Sequence, residues 1–152
     1  MDTFKAVEAA LDFAIEREQE AVDFYLDLAK KTPHISLQKT LRAFAGVEKG
    51  HKEKLQAVKL DEAVVSEENS VVVDLKISDY LVEVEPSSEM SFQDALIVAM
   101  KREKAAMELY ADLAGVVNDK GLKSLFTKLA REEATHKVSF ETAYETHFLS
   151  EN

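Results

Sequence analysis

Two short runs in this chain could carry chemistry. Glu48-Lys49-Gly50-His51 and Glu133-Ala134-Thr135-His136 each set a carboxylate three residues before an imidazole. On a helix that spacing puts both groups on one face, one turn apart. Thirty residues upstream of each run stands a lone glutamate in an apolar helical stripe: Glu18 before Glu48, and Glu103 before Glu133. Four helices that each turn a carboxylate inward, two of them adding a histidine, offer oxygen and nitrogen ligands for two metal ions.

The alternative to metal is expensive. Each unpaired carboxylate in a bundle core costs several kcal/mol or takes up a proton. No Lys or Arg falls in these stripes to pair with them, whereas two divalent cations cancel four carboxylates. Iron and manganese suit this donor mix; zinc and cobalt would bind as well, so the residues do not choose the metal by affinity. Tyr25 and Tyr110 lie seven residues past Glu18 and Glu103, on the same faces two turns along. They read equally as core tyrosines and as hydrogen-bond partners of the metal ligands. His34 and His147 are assigned to the surface.

The elements that must position these groups are long helices. In 152 residues there are only 4 Gly and 2 Pro, and 32% are charged, a composition of helix formers. A first helix is expected over residues 3–31, with Val7, Leu11, Ala14, Glu18, Ala21, Tyr25 and Leu28 in one stripe. Pro33 stops it. A second helix over 35–59 carries Leu37, Leu41, Phe44, Glu48, His51, Leu55 and Val58 inward, and the short loop makes the two an antiparallel hairpin. Residues 60–90 hold two breaker clusters and read as a long crossover, with a helical turn near 76–81 or, alternatively, a strand at Val71–Val73. A third helix, 91–117, opens on Ser91 as N-cap with Asp94 three residues on. A fourth, 120–148, follows the turn Asn118-Asp119-Lys120-Gly121. The expected fold is all-α: an antiparallel four-helix bundle of two hairpins in a single domain, residues 1–152.

An internal repeat picks the ligands. Sliding the chain by 85 residues lays Leu11 on Leu96, Arg17 on Arg102, Glu18 on Glu103, Tyr25 on Tyr110, Glu48 on Glu133 and His51 on His136, with no gap. Glu16, Glu20 and Glu53 meet Lys101, Ala105 and Val138, and are assigned to solvent. Asp23/Glu108 and Asp27/Asp112 survive the slide but point away from the lone-glutamate direction. Within each hairpin the two glutamates stand 15 residues either side of the turn, at one height roughly 22 Å from it. Packing the hairpins about a pseudo-twofold axis along the bundle is then expected to bring all six side chains together.

The composition excludes several classes. A net charge of −10 with no basic cluster argues against nucleic acid. The absence of cysteine rules out disulfides and thiolate metal centres. No apolar run approaches the roughly 20 residues of a membrane span, and the polar Met1-Asp2-Thr3-Phe4-Lys5 start lacks a signal peptide's apolar core. A cytoplasmic protein is expected.

Two lone Glu and two Glu-x-x-His, one set per helix, form the ligand pattern of di-iron and di-manganese carboxylate bundles. At these residues the chain resembles the ferritin-like superfamily, and within it the rubrerythrin group. The resemblance covers the four helices and implies two iron ions. Glu18 and Glu103 would be terminal carboxylates, Glu48 and Glu133 bridging ones, and His51 and His136 one nitrogen ligand each. It implies peroxidase or ferroxidase chemistry, oxidising Fe(II) with peroxide or dioxygen, in a homodimer. Two departures stand out. Full-length rubrerythrins carry a four-cysteine rubredoxin-like domain; this chain has no cysteine, so an electron donor would be a separate protein. Rubrerythrins also place a further carboxylate where this chain has Ala106, which puts an iron-shifting peroxidase cycle in doubt. Iron binding or storage, and a metal-stabilised structural bundle without turnover, are the competing readings.

Overall fold

The computed structural model describes residues 7–61, 80–81 and 90–149. Among the described residues, four α-helices of 25 residues each build the bundle: α1 (Val7–Lys31), α2 (Ile35–Lys59), α3 (Phe92–Val116) and α4 (Lys120–Tyr144). α1 packs along α2 and α3 along α4, with thinner contact between the two hairpins. The result is an antiparallel four-helix bundle. Among the described residues no helix is long and apolar enough to cross a membrane. The helical turn expected near 76–81 and the alternative strand at Val71–Val73 fall almost wholly outside the described residues.

Local sequence explains the helix ends. α1 carries Glu8 in its first turn and Lys30 and Lys31 in its last, each matched to the helix dipole. Beyond it, Gln38 donates to the carbonyl of Thr32 at 2.8 Å, tying the turn around Pro33 to α2. The Ser91 hydroxyl accepts from the Asp94 amide at 3.0 Å and the Asp119 carboxylate from the Leu122 amide at 2.8 Å, so α3 and α4 both start on side-chain caps. α4 does not run on to residue 148 as an α-helix. After Tyr144 it widens into a π-helical turn, Glu145–Leu149. This turn sets the Phe148 ring 5.9 Å from that of Phe92.

The core has two apolar ends and a polar middle. One cluster joins the start of α1 (Leu11, Ala14), the end of α2 (Leu55), the end of α3 (Leu109, Leu113) and the start of α4 (Phe126, Leu129). The other joins the opposite ends: Tyr25 and Leu28, Leu37 and Leu41, Leu96 and Ala99, and Phe140. This arrangement corrects the expected axis. The α1–α2 turn lies beside the start of α3 and the end of α4, with His34 5.7 Å from Phe92 and 4.3 Å from His147 between ring centroids. The α3–α4 turn is at the far end, where Val117 packs in the first cluster. The two turns therefore cap opposite ends, and the pseudo-twofold axis runs across the bundle, not along it. The link from α2 to α3 leaves from the first end and arrives at the second. Tyr80, on the way, is buried in the first cluster and donates to Asp112 at 2.8 Å.

Candidate metal centre

Between the two apolar clusters lie six buried polar side chains: Glu18, Glu48, His51, Glu103, Glu133 and His136, each at most 4% exposed. Each comes from near the middle of its helix, and the inward stripes place them at one level. They form two groups, each with ligand atoms within 4.8 Å of one another: Glu18, Glu48, His51 and Glu133, and Glu48, Glu103, Glu133 and His136. Glu48 and Glu133 belong to both. The structure thus brings together all six residues singled out in the sequence. His34 and His147 stay outside, exposed and with their rings in tilted contact.

The geometry inside the cluster is that of ligands without donors. His51 Nδ1 is 3.0 Å from Glu18 Oε2 and 3.2 Å from Glu133 Oε1, and His136 Nδ1 is 3.0 Å from Glu48 Oε1. These are close approaches, yet neither ring nitrogen is placed to hydrogen-bond. Both Nδ1 atoms, both oxygens of Glu48 and one oxygen each of Glu18, Glu103 and Glu133 are buried with no hydrogen-bond partner in the protein. Buried polar atoms are otherwise nearly always satisfied. Seven converging nitrogen and oxygen atoms fit cations placed among them once their protons are displaced, which is the donor set that a carboxylate–imidazole metal pair requires.

The electrostatics agree. Burial, then repulsion from Glu48, raises Glu18 well above the ordinary carboxylate range; burial and the charge of Glu103 do the same to Glu133. Burial also raises Glu103, against its contact with His136. At Glu48 burial pushes upward, but contacts with His136 and Glu133 and the charge of His51 more than offset it, so its pKa is lowered. Burial alone would lower His136; contacts with Glu103 and Glu48 carry it to about 9. Positive charge is what the cluster lacks.

A second layer holds the first. Tyr25, fully buried, donates its hydroxyl to Glu103 Oε1. Tyr110 is also buried, and its hydroxyl interacts with Glu18. Both tyrosines are core residues that also reach a buried carboxylate, but each reaches the lone glutamate of the other hairpin, not the one two turns back on its own helix. Burial and the neighbouring carboxylates, Glu103 and Glu18 first among them, raise both phenols well above 10. Sequence reasoning missed Glu132. Its carboxylate pairs with His51 Nε2. That contact sets the proton on Nε2 and turns the Nδ1 lone pair into the cluster. Its repeat counterpart is Val47, so a search for shared residues passes over it. His136 instead stacks on Phe44, 4.0 Å between ring centroids at 21°.

A cavity of about 490 Å³ leads from the cluster to the surface between α1 and α3. Glu18, Glu48, Glu103 and Glu133 form its floor.

No protein-family model and no curated protein matches the sequence. Solved structures do match. A hypothetical protein of Pyrococcus furiosus superposes with a TM-score of 0.71 at 27% identity, over 91% of this chain and 87% of its own. A Thermotoga maritima protein, provisionally named a ferritin-like diiron-carboxylate protein, superposes with a TM-score of 0.77 at 20% identity, over 95% and 97%. The chain has the ferritin-like fold.

Proposed function

We propose that this protein binds two iron ions and is a rubrerythrin-like oxidoreductase that oxidises Fe(II) with hydrogen peroxide or dioxygen. The observation that carries the reading is the set of seven buried, unpartnered ligand atoms on six side chains. The name of the Thermotoga maritima protein supports iron as the metal. Bound iron would supply the electrons that reduce the oxidant. Glu48 and Glu133, common to both ligand groups, would bridge the ions; Glu18 with His51, and Glu103 with His136, would each complete one position. Tyr25 and Tyr110 hold the terminal carboxylates. Their raised pKa values keep them protonated, so they act as donors and not as further anions. The cavity between α1 and α3 gives the oxidant its way in. A separate protein donates electrons, and a cytoplasmic homodimer is the working form.

The test is anaerobic Fe(II) loading of wild type and Glu133→Ala, followed by rapid mixing with peroxide. Wild type is expected to hold about two irons per chain, the variant clearly fewer, and the loaded wild type to develop oxidised di-iron absorption. Tight iron without that absorption would leave iron binding or storage as the function. No tight iron would remove the reading.

A further inference from the structure

One repeat-related pair takes no part in the cluster. Arg17 and Arg102 each precede a lone glutamate by one residue and stand at the rim of the cavity. Arg17 lies over the ring of Phe13, 4.6 Å from its centroid, and Arg102 over that of Phe24, at 5.3 Å. Such stacking fixes the guanidinium planes. The Nε of each is buried and has no hydrogen-bond partner. Their outer nitrogens share Glu20: its Oε1 is 2.9 Å from Arg17 Nη2 and its Oε2 is 3.8 Å from Arg102 Nη1, while Arg17 Nη2 also meets Glu16 Oε2 at 3.4 Å. A single carboxylate thus spans two arginines from the two hairpins. Glu20 is 47% exposed, and the duplication puts Ala105 in its place in the other half. It is an exposed ion pair of the kind that opens readily.

Below the rim the lining mixes apolar Ala21, Phe24, Ala106 and Leu109 with the carboxylates of Asp23 and Asp27. Ala21 and Ala106 each follow a lone glutamate by one turn, and their short side chains leave the space open. At about 490 Å³ the cavity is within the size range of sites that hold small organic molecules, roughly 300–1,000 Å³. One water needs about 30 Å³ of liquid volume, so an oxidant of two oxygen atoms does not account for it.

We propose that this cavity binds a small organic monocarboxylate. Its carboxylate takes the position of the Glu20 carboxylate between Arg17 and Arg102. Its apolar chain runs along Phe24, Ala106 and Leu109 toward the four glutamates of the floor. A chain of net charge −10 repels anions over most of its surface, so an anion site needs a local pair of arginines. Arginine also offers the planar fork that matches a carboxylate. Glu20 is the internal competitor that a ligand displaces.

The test is calorimetric titration of hexanoate, with hexanamide as the uncharged control, into Zn(II)-loaded protein. Zinc is redox-inert, so the result does not depend on whether the iron reading holds. Hexanoate is expected to bind and hexanamide not. Glu20→Ala is expected to tighten hexanoate several-fold and Arg102→Gln to weaken it about tenfold. Ala106→Leu, which fills the cavity and leaves the rim intact, is expected to abolish binding. The proposal is overturned if hexanoate binds neither wild type nor Glu20→Ala at millimolar concentration. It is equally overturned if binding survives both Arg102→Gln and Ala106→Leu, which would mean direct coordination to the metal or a site elsewhere.

Discussion

His51 and His136 hold equivalent positions in the two halves of the chain, yet their outer surroundings differ. His51 Nε2 is held by the Glu132 carboxylate, while the His136 ring lies flat on Phe44. The two ligand groups are therefore unequal in how firmly their imidazole is aimed. Glu132→Ala is expected to lower affinity by about 10–100-fold at the position served by His51 and to leave the other nearly unchanged. Chelator competition would then turn biphasic; a uniform loss at both positions would contradict this account. The six inward residues were legible in the sequence because the duplication repeats each of them. Glu132 was not, because its counterpart is Val47 and only half of the molecule uses it. The crossed pairing of Tyr25 with Glu103 was equally hidden, since sequence spacing reports neighbours on one helix and not partners across a bundle.

At the scale of the helix, two glycines run against local preference. Gly46 and Gly50 sit inside α2, on either side of Glu48. Neither has a positive φ, and a Cβ added at either would meet nothing within 4 Å. Glycine in a helix interior costs roughly 0.5–1 kcal/mol relative to alanine. Gly46→Ala, on the exposed side, is expected to raise stability by about that amount without altering metal content, as read by denaturant unfolding at fixed metal. The caps at Ser91 and Asp119 satisfy amides that a helix start leaves orphaned, and Ser91 was readable from its spacing to Asp94. The π-helical turn after Tyr144 was not readable. The pattern through Phe140 and Ala143 continues smoothly, with no residue to mark the change of winding that brings Phe148 to Phe92.

At the scale of the molecule, protons and metal ions compete for the same atoms. Glu18, Glu103 and Glu133 are raised above 4.5, and His136 from 6.5 to about 9. Each holds its proton more tightly folded than unfolded, so the stability of the metal-free chain falls as pH rises. The His136 contribution is fully present below 6.5 and is lost as pH rises through about 9. Glu48, with its lowered pKa, has the opposite sign, but its window lies below 4.5. Metal loading displaces these protons, so metal affinity increases with pH. Between pH 6.5 and 9 the Tm of chelator-treated protein is therefore expected to fall while the gain in Tm from added metal widens; a metal-free Tm that rises over this interval would overturn the assignment. The sequence could not settle the direction of the pseudo-twofold axis. Each lone or paired glutamate is one residue from the midpoint of a 25-residue helix, so hairpins stacked either way bring the four to one level. Only the contacts at the ends, such as His34 against Phe92, distinguish the two arrangements.

That axis also describes how the molecule is put together. One hairpin supplies Glu18, Glu48 and His51 to one ligand group and lends Glu48 to the other; the second hairpin returns the same with Glu103, Glu133 and His136. Each half is thus a self-complementary piece, carrying three-quarters of one site and a quarter of its neighbour. Neither half is complete alone, and each finds what it lacks in a rotated copy of itself. The chain is in effect a dimer of hairpins written as one polypeptide, and ions at its centre would fasten the halves where their packing is thinnest.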